Sequence, residues 1–504
     1  MKIYQWEKKY SEFFLIVLII IFVFIVLADS YAFIGDTFVK VLQSYSLIQN
    51  RFLSEDLYYP FRVYDPDYQY FYLKVPMFLN LEDKKLGAFP VFYSILIAPI
   101  VWLEPYALPF FTLTINLISY WILKHYWNLS KFMLVFFIFG TFLFLNSVDG
   151  SESSLLILFQ LVGLTFLFKT NKETLHTLLG IFFLSLGMWL RIEMFIFMGI
   201  LILFWFLVFW EELKHDLKEQ KKFLQILVFS GIFVSIYFLF HYFHYGHIFG
   251  PRFVLNIKLE DYSLIRQLRF MLSLSFFGDK FFKLGFFGYI PLFLLTIFFA
   301  FKRLDILDKK DKVLFFTGLT AVFVLGFLAP NDGLVNLGPR YLILGIVPFL
   351  VITNKLWELK VIFKRVFMVF AFYSFLITTL YFFLSREYLK NFKHFNEIIA
   401  TQRGDFYITI HGFDVVSAGL LVLRSPLILV ENPEDYSLME KIKAFLDSDQ
   451  TLIFYYSSYS ESQNRDKIQK IISFLGKYFI LTHQMKIDIK QGEFYFTFYH
   501  FRKK

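Results

Sequence analysis

The chain has 504 residues, of which 57% are hydrophobic and 22% aromatic, and its net charge is +9. With a mean hydropathy of +0.57 and long apolar runs through its first three quarters, it is predicted to be a polytopic membrane protein. The absence of cysteine excludes disulfides, thiolate metal sites and thiol nucleophiles. Because most Lys and Arg residues lie in short loops between apolar runs, the positive charge indicates membrane orientation and not nucleic-acid binding.

The first predicted element is the apolar run over residues 13–27, which follows a basic leader and lacks a small-residue cleavage site. We therefore interpret it as a retained span with the N-terminus in the cytoplasm. Two aspartates follow it. Asp29 ends the span, where a polar residue is ordinary, whereas Asp36 precedes the amphipathic run TFVKVLQSYSLI. Asp36 is therefore either the N-cap of that helix or a base near the membrane surface.

The charges of the connecting loops predict the orientation of the later spans. Short basic loops alternate with loops poor in Lys and Arg, which is the positive-inside pattern of a multi-pass protein of the cell membrane. The run at 88–103 contains Pro90 and Pro99 and is shorter than the roughly 20 residues that a span needs. We predict that this run is half-inserted from the outer side. That leaves about eleven transmembrane helices and an extracytoplasmic C-terminus.

The tail beyond residue 385 differs in kind from the membrane part. Its β-rich runs at 426–431, 451–457 and 493–501 alternate with amphipathic stretches at 434–447 and 465–476. The sequence therefore predicts a membrane domain over 1–385, whose first outer loop is 28–87, and a small extracytoplasmic α/β domain over 386–504.

The polar residues that stand out from the apolar background fall on the predicted outer side. Carboxylates together with arginines suit a reaction whose leaving group is a phosphate. A carboxylate can deprotonate the acceptor, while arginines bind the phosphate oxygens. These polar residues are Asp36, Asp65, Asp67, the cluster EDKK at 82–85, Asp149, Glu152, Arg191, Glu193, Arg252, Asp332 and Arg340.

Several of these residues also have an ordinary structural interpretation. Asp149 and Glu152 can cap the helix that begins in SVDGSESSLLILF. Arg191 and Glu193 can form an ion pair with each other that has no other role. Arg340 can extend from the end of a span to the interface.

Metal binding has two candidate patterns. His241, His244 and His247 recur at a spacing that suits a metal face, but the aromatic residues around them also suit an interfacial belt. The triplet Asp65-Pro66-Asp67 has the form of a metal-binding DxD pair within a tyrosine-rich loop. We predict no cofactor, and a divalent metal is permitted by these residues but not indicated.

The order of several motifs resembles a known superfamily of membrane enzymes. An acid leads a helix in GDTFVKVLQSYSLIQNRF, a lysine pair precedes the run KKLGAFPVFYSILIAPI, and an acid precedes a span in SVDGSESSLLILF. Then come LRIEMF, FGPRF and GPRYLILGIVPFL. Over residues 10–385 this order is similar to the GT-C superfamily of glycosyltransferases. The family-39-like group, which includes protein O-mannosyltransferases and bacterial aminoarabinose transferases, is the nearest part of it.

The resemblance implies a role for particular residues. The acid that activates the acceptor corresponds to Asp36, with Asp29 as the alternative, and the second outer acid corresponds to Glu152 or Asp149. The remaining positions imply contacts to the donor phosphate. In the family a lysine is often followed directly by two prolines, whereas here LGAF separates Lys85 from a single proline. The phosphate-binding residues that the resemblance implies are Lys84 or Lys85 and Arg340, and Arg191 and Arg252 are further candidates from the charged residues of the outer side.

The resemblance further implies the substrates. The implied donor is a sugar, hexosyl or pentosyl, on a polyprenyl phosphate or diphosphate. The implied acceptor is a lipid, glycan or protein at the outer face of the membrane, where membrane lipids surround the enzyme. Two alternatives stay open. An O-antigen-type ligase or polymerase suits the arginines Arg252, Arg266 and Arg269 of loop 241–283. A lipid or solute transporter or flippase is disfavoured, because the spans carry almost no charge at mid-depth and no repeat is evident.

Overall fold

The computed structural model describes residues 16–504 with short internal gaps. The gaps are 24, 27–29, 82, 170–173, 260–262, 279–282, 332–337, 360–363, 434, 448 and 491–493. By their internal contacts, the residues form two compact units. The first unit is Met1–Ala28 with Tyr106–Arg386, and the second is Asp29–Pro105 with Glu387–Lys504. By these contacts, the first long loop is therefore part of the same unit as the tail. The predicted functional division after residue 385 stays a prediction.

The part of the chain before residue 402 is mainly helical. A first apolar helix is described over 16–23. Short 3₁₀ turns occur at Pro105–Ala107 and Arg340–Gly345. The remaining elements are α1 (Gly35–Gln49), β1 (Phe78–Leu81), β2 (Lys84–Gly87), α2 (Val91–Leu103), α3 (Leu108–Tyr126), α4 (Lys131–Phe139), α5 (Leu143–Val148), α6 (Ser153–Phe168), α7 (Thr174–Leu190), α8 (Glu193–Val208), α9 (Trp210–His215), α10 (Leu217–Tyr245), α11 (Pro251–Leu259), α12 (Leu264–Ser275), α13 (Phe286–Tyr289), α14 (Leu292–Lys302), α15 (Lys309–Leu328), α16 (Ile346–Glu358) and α17 (Lys364–Thr401).

Five described helical segments are long and apolar enough to cross a membrane by length and composition. Together with the shorter apolar helices they establish a helical membrane protein, and the number of about eleven spans stays a prediction. The predicted half-inserted run forms α2, with Pro99 inside it, and its 13 residues extend about 20 Å. This is shorter than the roughly 30 Å of a bilayer core, although the depth of α2 is still a prediction. The five segments are Pro105–Tyr126, Leu217–Tyr245, Lys309–Leu328, Arg340–Glu358 and Arg365–Thr401.

In the first unit, α6 and α7 pack against each other as an antiparallel hairpin. Gly163 and Gly180 face each other across this contact, and a Cβ added to Gly163 would lie 2.8 Å from the carbonyl oxygen of Gly180. Small residues of this kind let two helix backbones approach closely, as is common between membrane helices. The hairpin therefore places the start of α6 beside the end of α7.

Buried hydrogen bonds connect the helix pair to the rest of the first unit. The Gln160 side chain on α6 donates to the carbonyl of Leu344 over 2.7 Å. Asn116 on α3 donates to Ser147, whose hydroxyl is 2.7 Å from that of Ser154. These bonds tie the start of α6 to α3 and to the turn at Arg340–Gly345. Polar bonds between helices fix register where apolar packing alone would allow sliding.

The tail contributes a five-stranded sheet and the helices around it to the second unit. Its elements are β3 (Phe406–Thr409), α18 (Gly412–Ala418), a 3₁₀ turn (Gly419–Leu423), β4 (Leu427–Leu429), α19 (Tyr436–Phe445), β5 (Thr451–Ser457), α20 (Ser458–Tyr478), β6 (Phe479–Lys490) and β7 (Phe494–Lys503). The strands are ordered β4-β3-β5-β7-β6 in the sheet. Strands β3, β4 and β5 are parallel, while β7 pairs antiparallel with β5 and β6. The β-rich runs of the sequence correspond to β4, β5 and β7, and the two amphipathic stretches correspond to α19 and to part of α20.

The first long loop packs directly on this sheet within the second unit. The ring of Phe61 lies 4.9 Å from that of Phe406 on β3 and 5.6 Å from that of Phe445 on α19. At the edge strand, the backbone N–H of Leu429 donates to the carbonyl of Tyr70 over 3.2 Å. The loop therefore covers an exposed sheet edge and contributes aromatic side chains to the core of the second unit.

Candidate active site

In the first unit, three chain segments bring charged side chains together. Glu152 immediately precedes α6, Arg191 lies in the connection between α7 and α8, and Glu193 is the first residue of α8. The antiparallel arrangement of α6 and α7 explains why Glu152 and Arg191 meet. Arg340 and Tyr341 enter from the 3₁₀ turn that leads into α16. We call these five residues the arginine–glutamate cluster.

Arg191 is the centre of the arginine–glutamate cluster. One of its terminal nitrogens donates to Glu193 over 2.6 Å, and the other lies 3.6 Å from the carboxylate of Glu152. The three side chains are only 10%, 15% and 9% exposed. Charges this deeply buried are stable only when they are paired, so the arrangement specifies one conformation of the α7–α8 connection.

The two arginines lie near the same aromatic ring. The guanidinium carbons of Arg191 and Arg340 are 5.2 Å and 5.6 Å from the ring centre of Tyr341. This distance is within the range of cation–π attraction. Both guanidiniums have the geometry to bind two oxygens of an anion at once. The sequence analysis did not single out Tyr341, although its position directly after Arg340 is a usable signal.

The structure places these residues as follows. Glu152 occupies the N-cap position of α6, as the cap interpretation predicted, but its side chain, among those described, makes no capping hydrogen bond. A catalytic role for Glu152 stays a prediction. Arg191 and Glu193 do pair, but not only with each other, because Arg191 also contacts Glu152. Asp149 follows α5 as its C-cap residue, and a catalytic role for it stays a prediction.

Asp36 lies in the second unit, in the first turn of α1. The N-cap position belongs to Ile34, so Asp36 is not the N-cap residue. Its half-buried carboxylate sits where the helix dipole stabilises negative charge. One turn further on the same helix is Lys40, which is only 3% exposed and lies 4.6 Å from the ring centre of Phe89. The sequence analysis missed Lys40, although its spacing of one helical turn from Asp36 is a recognisable pattern.

The lysine pair lies at the start of β2. Lys84 is exposed, whereas Lys85 is half-buried, with its ammonium 4.9 Å from the ring centre of Phe78. The Lys85 ammonium also donates to Asn80, and its backbone N–H donates to Asp56 over 3.0 Å. Burial lowers the pKa of Lys85. Lys85 therefore already has a structural role in the loop, and phosphate binding by either lysine stays a prediction.

The DxD triplet has a structural role at its first position. Asp65 is fully buried and accepts hydrogen bonds from the Tyr59 hydroxyl and the Tyr70 backbone N–H, at 3.0 Å and 2.9 Å. Lys441 of α19 also donates to it over 3.4 Å. Asp67, by contrast, is exposed. The two carboxylates thus face different surroundings, and Asp65 fastens the first loop to the tail.

The histidines lie in an aromatic cluster around the end of α10. His241 is buried, and its Nδ1 lies 2.9 Å from the carbonyl of Tyr237. His244 stacks on Phe240, while the His247 ring packs near that of Phe253. Among the described residues, no group of three His, Asp or Glu side chains is placed to hold a metal ion. The prediction that the protein needs no cofactor remains a prediction.

The remaining candidates are placed as follows. Arg252 lies in the first turn of α11 and is half-buried. Arg266 and Arg269 are on α12. Asp29 and Asp332, together with Glu82 of the EDKK cluster, lie outside the described residues.

The chain is similar to several solved structures. The crystal structure of ArnT from Cupriavidus metallidurans in the apo state aligns with a TM-score of 0.54 at 11% identity, over 98% of each chain. ArnT from the same organism bound to undecaprenyl phosphate aligns with a TM-score of 0.51 at 10% identity, over 97% of this chain and 98% of that one. The apo oligosaccharyltransferase of Archaeoglobus fulgidus aligns with a TM-score of 0.46 at 11% identity, over 93% of this chain and 72% of that one.

No protein-family model matches the sequence, and no curated protein sequence matches it. The two ArnT structures nevertheless align with nearly the whole chain, which shows that it shares their fold. The prediction of a GT-C-like helical membrane protein is confirmed at the level of the fold. Membership of the family-39-like group stays a prediction.

Proposed function

We propose that the protein is a membrane glycosyltransferase that moves a sugar from a polyprenyl-phosphate donor to an acceptor at the outer face of the membrane. The observation that carries the proposal is the fold, which aligns from end to end with a transferase crystallised with undecaprenyl phosphate. The arginine–glutamate cluster supports it, because it supplies the cations that a phosphate leaving group requires.

In the proposed reaction, Asp36 accepts the proton of the acceptor hydroxyl or amine. The acceptor atom then attacks the anomeric carbon of the sugar, and the bond from that carbon to the phosphate oxygen breaks. The leaving polyprenyl phosphate keeps the bonding electrons. Because the acceptor attacks in one step from the face opposite to the phosphate, the configuration at the anomeric carbon inverts. Its added negative charge is offset by Arg340, and Arg191, Arg252, Lys84 and Lys85 are further candidates for this role. Glu152 or Asp149 serves as the second acid.

Arg340 is our first choice among the candidate phosphate ligands because of its side-chain chemistry. Its guanidinium carbon lies 5.6 Å from the ring centre of Tyr341. A planar guanidinium binds two phosphate oxygens at once, and a lysine ammonium lacks that geometry. Arg340→Lys is therefore expected to lose activity even though it keeps the charge.

The test is a transfer assay on the purified full-length protein in lipid nanodiscs, with undecaprenyl-phosphate-linked sugars as donors and release of undecaprenyl phosphate as the readout. We expect turnover by the wild type and a loss of at least about a hundredfold in Arg340→Gln. Arg303→Gln is the matched control, because Arg303 pairs with Asp305 at an exposed position and should retain full activity.

Two other outcomes separate the alternative functions. Turnover only with an oligosaccharide on undecaprenyl diphosphate would identify a ligase or polymerase of the same fold. Uptake of lipid or solute by protein-containing liposomes, with no transfer from any donor, would identify a transporter and overturn the proposal.

A further inference from the structure

The second unit contains an open cleft at one edge of its sheet. The chain leaves β3 to form β4 on one side and then returns past β3 to form β5 on the other side. This reversal makes the gap between β3 and β5 a topological switch point. In α/β sheets, ligands bind outside the carboxyl ends of the parallel strands at such points.

Most of the residues that line the cleft follow those carboxyl ends, and Phe494 begins the antiparallel strand β7 at the same edge. His411 and Phe413 follow β3, Ser458 and Tyr459 follow β5, and the cleft has a volume of about 630 Å³. This size is within the range of small-molecule sites, which combine aromatic walls with a few polar groups. The complete lining is His411, Phe413, Ser458, Tyr459, Ser462 and Phe494.

Three aromatic rings form the apolar part of the cleft. The Phe413 ring lies 5.5 Å from the ring of Tyr459 and 5.9 Å from that of Phe494. The Phe494 ring also stacks on the ring of Phe395, and the two ring centres are 4.9 Å apart. Tyr459 is 47% exposed, so its ring is accessible to a ligand. The C–H face of a sugar ring is apolar and flat, and aromatic rings with nearby hydroxyls fit it well.

The wall of the cleft is rigid because a buried carboxylate joins β3, α18 and β5. Asp414, which is fully buried, accepts hydrogen bonds from the hydroxyls of Thr409 and Ser457, at 3.0 Å and 2.6 Å. Ser457 directly precedes the cleft residue Ser458, and Asp414 directly follows Phe413. The side chains on the two sides of the switch point are therefore held at a constant separation.

The charged groups near the cleft include two cations and one anion. Lys74 lies 3.3 Å from Glu431, which follows β4 at the same edge of the sheet, and Lys467 is also close enough to Glu431 to feel its charge. Burial lowers the pKa of His411, and the positive charges of Lys74 and Lys467 lower it further, so both lysines are within electrostatic range of this cleft residue. The Nδ1 atom of His411 accepts from the Phe413 backbone N–H over 3.1 Å, which leaves Nε2 as the donor of the neutral ring.

We propose that this cleft binds an anionic carbohydrate, a sugar residue that bears a carboxylate or a phosphate. The aromatic rings bind the apolar face of the sugar, the serine hydroxyls bind its hydroxyl groups, and Lys74 and Lys467 attract the negative group. The binding function belongs to the second unit and does not depend on the transferase proposal.

The experiment is calorimetric titration of the full-length protein in nanodiscs with four probes: digalacturonate, glucose 6-phosphate, maltose and inorganic phosphate. At least one of the two acidic sugars is expected to bind at least about tenfold more tightly than maltose or inorganic phosphate. The acidic probe that binds more tightly then shows whether the cleft prefers a carboxylate or a phosphate on the sugar.

Variants assign the binding to the cleft. Tyr459→Ala should weaken the binding of acidic sugars by about tenfold or more. Tyr459→Phe keeps the ring and should bind them like the wild type. Lys467→Gln should reduce the preference for acidic sugars without changing maltose. Tyr436→Ala, at an exposed tyrosine on α19, is the control and should have no effect.

Three results would overturn the proposal. They are the absence of acidic-sugar binding below about 10 mM, equally tight binding of inorganic phosphate, and wild-type affinity in Tyr459→Ala.

Discussion

The guanidinium of Arg191 lies 3.6 Å from the carboxylate of Glu152, and these two side chains are only 10% and 9% exposed. The pair joins the start of α6 to the connection between α7 and α8. Since Glu193 also binds Arg191, removal of the arginine would leave two buried carboxylates without their shared cation. Such a change is far more costly than the loss of a surface pair.

We therefore predict that Arg191→Met lowers the stability of the detergent-solubilised protein by about 3–5 kcal/mol or prevents folding. Arg191→Lys keeps the charge and should recover part of the loss. The exposed pair of Arg303 and Asp305 provides the control, because Arg303→Met should change stability by less than about 1 kcal/mol. Thermal unfolding followed by scanning fluorimetry measures all three variants. Equal effects of Arg191→Met and Arg303→Met would show that the buried cluster does not stabilise the first unit.

A second prediction concerns Asp36, whose position in the first turn of α1 keeps a negative charge favourable. Asp36→Asn preserves the size of the side chain and removes its basicity. We expect transfer to fall by about a hundredfold or more, while the melting temperature changes little.

The control for Asp36 is Asp67→Asn, since Asp67 is an exposed carboxylate in the same unit. It should retain wild-type transfer. Near-normal activity of Asp36→Asn would show that another acid is the base, and Glu152 is the first candidate. A large fall in melting temperature would instead show that Asp36 supports the fold.

The sequence predicted those parts of the fold that have a local pattern. Apolar runs identified the membrane helices, and β-rich runs identified β4, β5 and β7. Strand β3 is short, and β6 (FILTHQMKIDIK) is largely exposed, so neither forms a distinct apolar run. The packing of Phe61 on Phe406 joins distant parts of the chain, and no local periodicity reports such a contact.

Among the candidate residues, too, only those whose neighbours follow from local pattern could be predicted. Glu152 and Arg191 could be predicted as neighbours, because two consecutive helices joined by a short loop bring those ends together. The structural role of Asp65 could not be predicted, since its partner Lys441 lies in the tail. Lys40 could not be singled out, because a single lysine in an amphipathic run is expected to face water. In the structure this lysine is buried.

A third prediction tests the close approach of α6 and α7. A Cβ on Gly163 would lie 2.6 Å from the Leu184 side chain and 2.8 Å from the Gly180 carbonyl oxygen. Since the backbone of α7 cannot yield locally, Gly163→Ala should destabilise the first unit by about 1–3 kcal/mol. Gly199 on α8 has open space around its Cβ position. Gly199→Ala should therefore be neutral or stabilising by up to about 1 kcal/mol. Melting temperatures that rise in both variants would contradict the packing of α6 on α7.

The last prediction concerns Asp414 beneath the cleft of the second unit. Burial raises its pKa to about 6, against the offset of hydrogen bonds from Ser457, Ser460 and Thr409. The folded protein therefore holds the proton of Asp414 at pH values where the unfolded chain has released it. Its contribution to stability is complete below about pH 4, declines as the pH rises toward 6, and is constant above that.

Asp414→Asn keeps the oxygen that accepts from Ser457 and cannot ionise. The variant should be more stable than the wild type at pH 7, by up to about 3 kcal/mol, and this advantage should disappear near pH 4. Because the two proteins share every other titrating group, the difference between their melting temperatures at each pH isolates Asp414. Asp447→Asn is the control, since Asp447 is exposed and its difference from the wild type should not vary with pH. A difference for Asp414→Asn that stays constant from pH 4 to pH 7 would show that this carboxylate titrates normally in the folded protein, and the cleft wall would then be held together by an ionised group.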